Sequence, residues 1–291
     1  MSVLVKTSGG GGNVTIDGQN ISNKLSLISE KLNVKAGELP YNFKNGSAVV
    51  FNDEIHIIGG VDNARKHYKW DGVEWVSVSS APYSFVNGCA VVLNGEIHIF
   101  GGEGYNTTHC KWNGERWINN LSTLPYSFVN GRAVVLNGEI HILGSSDDTT
   151  KHYKWTGTEW VSVSTLPYDF HTGIAVVYNN EIHILGSGVN AQSRNHYKWN
   201  GSAWAEVSTL PSMMYDGAGV LYDEKINILG FPASNQAHYE LNGSDWIKKP
   251  TLPVDFTKGN AVVRKNNLYI LGGYVQSQFH LIQGTFYKEV D

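Results

Sequence analysis

The stretch GRAVVLNGEIHILG, Gly131 to Gly144, decides the fold. Ala133 to Leu136 is a short β-branched run, the pattern of a strand covered on both faces. Asn137-Gly138 supplies what a tight hairpin needs at two positions of positive φ. Glu139-Ile140-His141-Ile142 then alternates with period two. Two antiparallel strands joined by a two-residue turn are therefore expected. The pattern recurs: an LP or AP dipeptide opens each copy at Leu39, Ala81, Leu124, Leu166, Leu210 and Leu252, at spacings of 42 to 44 residues.

After each EIHILG-like run come a loop of changing sequence, HYKW-like residues, a glycine-bearing turn and an aromatic-led segment such as EWVSVST. WDGVEW, WNGERW, WTGTEW and WNGSAW read as a second hairpin, with a tryptophan on each side of the turn. Four strands per unit make one antiparallel sheet. A sheet of about forty residues cannot bury both faces alone, so neighbouring units must cover each other, and a ring of six is the economical closure.

The paired glycines ending the second strand (Gly59-Gly60, Gly101-Gly102, Gly272-Gly273), an aromatic ending the third, a Gly turn and a Trp opening the fourth resemble the Kelch repeat. The resemblance spans Leu39 to Asp291. It implies an all-β, six-bladed Kelch-like β-propeller with four antiparallel strands per blade, residues 39–291, with blades starting near 39, 81, 124, 166, 210 and 252. Ser145, Ser187 and Phe231 replace the second glycine, Leu241 replaces a tryptophan, and Ile282 and Tyr287 stand for two more. Units five and six are the divergent ones.

Two segments compete for the outer edge of the last blade. Thr285 to Val290 is favoured, because Gly284 and Tyr287 keep the turn-then-aromatic order, although LNVKAGELP (Leu32 to Pro40) aligns with the segments preceding each later LP. Residues 1–38 then read as an N-terminal arm. Gly9 to Gly12 form its hinge, alternation surrounds Asp17-Gly18, and Ile21, Leu25, Ile28 and Leu32 recur at helical spacing. Such an arm suits docking on a larger assembly.

Composition excludes several classes. A net charge of −4 without a Lys/Arg-rich run argues against nucleic acid. No stretch approaches the roughly 20 apolar residues that cross a bilayer, so membrane insertion is not expected. The start, MSVLVKTSGGGG, lacks the features of a secretory signal, pointing to synthesis in a bacterial cytoplasm. Cys89 and Cys110 form neither a disulfide framework nor a zinc motif.

Histidine recurs in the second strand (His56, His98, His141, His183, then Asn227 and Tyr269) and in the third (His67, His109, His152, His196, His238, His280). Copies in separate blades cannot converge on one metal, so these rings read as scaffold, and no metal or other cofactor is expected. The nine tryptophans are expected to pack between blades. Variation concentrates in the loop after the second strand, which contains Arg65, Tyr105, Asp147, Asp148, Arg194 and Tyr274 in its different copies. This loop shares a face with the blade-to-blade connections, which carry Tyr41, Phe43, Tyr83, Phe85, Tyr126, Phe128, Tyr168, Phe170 and His171. These residues read either as a partner-binding face or as wedges between blades. The x of Gly-x-Ala also differs in every unit, and Arg132 there is a candidate for a carboxylate at the channel mouth, or for pairing with Asp147 or Asp148.

Kelch-like propellers include a copper oxidase and a sialic acid mutarotase, but neither a copper cluster nor a motif-assigned Glu/Arg pair is found. The near-identical units also resemble Kelch-type proteins among structural and tail genes of phages and prophages of Gram-positive bacteria. That resemblance implies a non-catalytic virion component, tail or capsid-associated. It would dock on other virion proteins through residues 1–38 and present its propeller face to a cell-surface glycan or another virion protein. A bacterial Kelch adaptor is the alternative, and a mutarotase-like enzyme a more distant one.

Overall fold

Each repeat folds as the hairpin signals dictate. In the first blade Ser47–Phe51, Glu54–Ile58, His67–Trp70 and Trp75–Ser77 form a four-stranded antiparallel meander. The computed structural model describes residues 34–283 except 120, 190–192, 232–233 and 274–277, together with 15–16 and 19–20. Within these residues six such sheets occur, and their first strands touch in a closed circuit, blade 6 meeting blade 1. The protein is a six-bladed β-propeller. A separate pairing joins Thr15–Ile16 to Gln19–Asn20, on either side of Asp17-Gly18. The expected helical spacing from Ile21 to Leu32 lies outside the described residues.

Both central residues of the first hairpin hold positive φ in all six blades. This includes Glu224 (58°) and Lys265 (48°), which carry none of the usual Asn or Gly preference. The sheet register therefore overrides local propensity there. Hydrophobic cores lie between adjacent blades. Val49, Phe51 and Ile58 of blade 1 pack with Phe85, Ile97, Ile99 and Trp112 of the blade 2 repeat, and the arrangement repeats around the ring.

The first glycine after the second strand is invariant for a steric reason. At Gly59, Gly101, Gly144, Gly186, Gly230 and Gly272 a Cβ would strike the backbone carbonyl oxygen of Phe85, Phe128, Phe170, Met214, Phe256 and Phe43 respectively, each in the next connection around the ring. The following residue donates its N–H to that same carbonyl, as in Gly60 to Phe85 at 2.9 Å. Gly60, Gly102 and Gly273 do so at φ of 94–107°, with a carbonyl oxygen 2.6–2.8 Å from where a Cβ would lie, whereas Ser145 and Ser187 stand there without positive φ and each Oγ donates to a carbonyl, of Ser127 (2.6 Å) and Asp169 (2.7 Å).

The last blade corrects the expected closure. Its first three strands are Asn260–Arg264, Asn267–Leu271 and Gln278–Gln283, and its fourth is Val34–Glu38, paired antiparallel with the third through Glu38↔Gln278 and Gly37↔Phe279. Residues 34–38 thus belong to the propeller and not to the arm. The favoured segment, Thr285 to Val290, lies outside the described residues. The physical reason is continuity: every other fourth strand precedes an LP or AP connection, those of blades 3 and 4 (Trp160–Thr165 and Trp204–Thr209) with no residue between, and Val34–Glu38 likewise runs straight into buried Leu39. One blade built from both regions of the chain ties the ring shut with sheet hydrogen bonds.

Candidate functional site

The residue preceding the glycine of each Gly-x-Ala-like run is Asn45, Asn87, Asn130, Thr172, Asp216 or Lys258. All six hold φ between 53° and 59°. Each N–H donates to the carbonyl oxygen of its equivalent in the neighbouring blade at 2.7–3.2 Å, and Asn45 closes the circuit on Lys258. This hydrogen-bonded hoop is the mouth of the central channel. Sequence reasoning missed it, although the signal was present in the repeated Asn-Gly of KNG, VNG and VNG.

Beneath the hoop is a cavity of about 210 Å3, lined by five hoop residues and by Ser47, Cys89, Arg132, Ile174, Ala218 and Asn260, the variable x positions. These side chains reach sideways. Asn260 Oδ1 accepts the N–H of Ala48 (3.1 Å), Ser47 Oγ that of Ala90 (3.1 Å), and the Cys89 sulfur that of Ala133. Burial pushes the Cys89 thiol up, so it is held protonated. Arg132 Nη1 donates to the carbonyl oxygens of Gly131 (2.9 Å) and Asn130 (3.4 Å). Asp147 instead accepts from Ser127 Oγ at 2.6 Å, and among the described residues no ion pair joins Arg132 to Asp147 or Asp148. At the mouth Lys258 pairs with Asp216 at 3.5 Å.

The variable loops surround this mouth. Val61 N–H donates to Lys44 O, Glu103 to Val86, Ser146 to Val129 and Gly188 to His171, which places loop and connection on one face as expected. The aromatics of that face separate sharply. Phe43, Phe85, Phe128 and Phe170 are fully buried, and Met214 occupies the same slot after Leu210. Tyr83, Tyr126 and Tyr168 are buried too, and Tyr126 and Tyr168, with half-buried Tyr41, donate to the carbonyl oxygens of Gly144, Gly186 and Gly59 at 2.9–3.2 Å. These rings wedge blades and offer little surface. Burial of one such Phe contributes roughly 1.5–3 kcal/mol.

What remains accessible is different. Tyr105 is 44% exposed and lies against Tyr83 at 5.0 Å, with Val61 and Met213 also exposed on the same face. Arg65 and Arg194 are exposed, and each ties its loop to the next connection through Nε, to Ala81 O (3.0 Å) and Leu210 O (2.8 Å). Asp147 is exposed and Asp148 and His171 half-buried. Burial lowers the His171 pKa, partly opposed by Asp216. Tyr274 lies outside the described residues.

The histidines are paired with each other inside single blades: His56 with His67, His98 with His109, His141 with His152 and His183 with His196, at 2.8–2.9 Å between Nδ1 and Nε2. Burial lowers the second-strand rings to about 4 and the third-strand rings to about 3. The rings are therefore neutral at pH 7. The network continues between blades. His152 Nδ1 meets Ser164 Oγ (2.8 Å), which accepts Trp204 Nε1–H (3.1 Å), while the Trp199 ring packs edge-on against His152 at 5.5 Å. The same pattern joins His196, Ser208 and Trp246. Among the described residues no group of three or more His, Cys, Asp or Glu is placed to hold a metal ion.

Comparison with known proteins leaves the fold as the common ground. No family model matches the chain, and no curated protein matches it. A solved structure, that of YjhT, superposes with a TM-score of 0.75 at 15% identity, covering 86% of this chain and 97% of that one. At this identity the likeness is one of fold.

Proposed function

We propose that the protein is a non-catalytic binding module whose loop-bearing face engages a cell-surface glycan or a neighbouring protein. One observation carries this reading: residues that differ between otherwise repeated blades gather on a single face around the channel mouth, held there in blades 1 to 4 by the same main-chain bond. Rigid scaffold under varied polar loops is how binding surfaces are built. The non-catalytic half rests on the histidines, which are neutral and committed to one another. The setting, a phage particle in which the protein sits in a tail or beside a capsid after synthesis in a bacterial cytoplasm, rests on the likeness of the repeated units to Kelch-type phage and prophage proteins. Docking on other virion proteins is assigned to the residues before Val34.

Truncation tests the reading. A chain lacking residues 1–33 keeps the closing strand and is expected to fold, bind and fail to join particles. Incorporation at the wild-type level would overturn the docking assignment. On a glycan array, Tyr105→Ala with Asp147→Ala should abolish the signal of the full chain; a signal unchanged by both would remove the loop face as the binding surface.

A further inference from the structure

Asn260, Ser47 and Cys89 cap the inward N–H groups of Ala48, Ala90 and Ala133. The register is the same in the other blades, where Ala175↔Ile184 and Ala261↔Ile270 repeat Ala48↔Ile57. Their N–H groups therefore also point into the channel. The positions that would cap blades 4, 5 and 6 are Arg132, Ile174 and Ala218. None has an acceptor atom. Ile174 Cγ2 fills the place of a side chain on Gly219, whereas the Ala218 methyl is too short to cover Ala261. One side of the channel is thus closed by acceptors, and the other presents bare donors.

Arg132 adds charge to that side. Among the described residues its Nε and Nη2 make no hydrogen bond, and no carboxylate forms an ion pair with it. Asp216, the nearby carboxylate at the mouth, acts on Arg132 by charge only and forms its ion pair with Lys258 at 3.5 Å. The cavity thus holds two cations against one carboxylate, and the thiol of Cys89 is neutral. A guanidinium edge matches the two oxygens of a carboxylate, and such charge-assisted bonds strengthen where water is scarce.

We infer that the channel is a second binding site, separate from the loop face, for a compact carboxylate held by Arg132 and the amides of Ala175 and Ala261. A volume of about 210 Å3 admits a molecule of a few heavy atoms, or the acidic end of a larger one reaching through the hoop.

Titration calorimetry on the full chain with pyruvate, D-glucuronate and inorganic phosphate tests the inference. Pyruvate binding alone identifies a free small acid, and glucuronate binding identifies the acidic end of a sugar; either supports the site. Arg132→Gln should weaken the bound acid about tenfold or more, and Arg132→Lys by less. Ala218→Asn should weaken it independently, because its Oδ1 would cap Ala261 as Asn260 caps Ala48; this variant decides the matter if Arg132→Gln fails to fold. The inference is overturned by no heat with either acid at ~10 mM, by phosphate binding as tightly as the acids, or by affinities unchanged in folded variants. Particle incorporation and loop-face binding should be unaffected, which keeps this result distinct from the tests above.

Discussion

Blades 1 to 4 and blade 5 meet the same physical demands with different residues. In the first four, a second-strand glutamate pairs with a third-strand lysine: Glu54 with Lys69, Glu96 with Lys111, Glu139 with Lys154 and Glu181 with Lys198, at 2.8–3.0 Å. In blade 5 the charges are exchanged, Lys225 pairing with Glu240 at 2.9 Å. Likewise the His–His pair becomes Asn227 Oδ1 with His238 Nε2 at 2.8 Å, and Leu241 takes the slot of a tryptophan. The scaffold requires a hydrogen bond and a filled volume at these places, not a particular residue. A histidine that can be replaced by asparagine without losing the bond is a structural part.

The largest loss is expected at the glycines. Gly144→Ala places a methyl against Phe170 O at a φ of 54° and is expected to unfold the protein or cost more than about 3 kcal/mol. Gly60→Ser, one position on, should cost less, about 2–3 kcal/mol: its φ of 107° and the Lys44 carbonyl oxygen 2.8 Å from a Cβ strain the serine, but Ser145 and Ser187 show that this slot also accepts a backbone without positive φ. Chemical denaturation of the two proteins checks the order, and equal losses would refute the steric account.

Acid has the next largest effect. Free histidine titrates near 6.5 and the buried pairs near 3 to 4, so below pH 6.5 the unfolded chain binds protons that the folded chain refuses. Stability should be flat above about pH 7 and fall from pH 6.5 towards 4, by roughly 2 kcal/mol at pH 5 for each ring that titrates. Asn227→His should be within about 1 kcal/mol of wild type at pH 7 and should deepen the acid loss. Denaturant midpoints measured from pH 8 to 4.5 would show both, and a profile without slope would mean that the rings are not protonation-coupled. The smallest effect belongs to the ion pairs. Glu139→Lys should cost about 0.5 kcal/mol, and adding Lys154→Glu should recover it, reproducing blade 5 inside blade 3.

Much of this was legible in the chain. Spacings of 42 to 44 residues, Asn-Gly turns and alternation in EIHIL state the number of blades and the order of strands, because each blade repeats one local pattern. Closure was not legible. Leu32 to Pro40 and Thr285 to Val290 carry similar local signals, and only pairing with Gln278–Gln283 separates them. The candidate face was half legible. The loops of Arg65, Tyr105, Asp147 and Arg194 do share it, but PYSF reads the same whether its rings point outward or inward, and the structure turns Phe43, Phe85, Phe128 and Phe170 inward.

Period, turn residues and β-branched runs act over a few residues, and they specify the blade, its repetition and the places where repetition fails. The tertiary structure alone decided which segment shuts the ring, that paired histidines bond within a blade, and that Arg132 faces a cavity with uncapped amides beside it. Those outcomes depend on atoms that the sequence keeps apart, from the histidines on neighbouring strands of one blade to Ala48 and Asn260, which stand 212 residues apart in different blades.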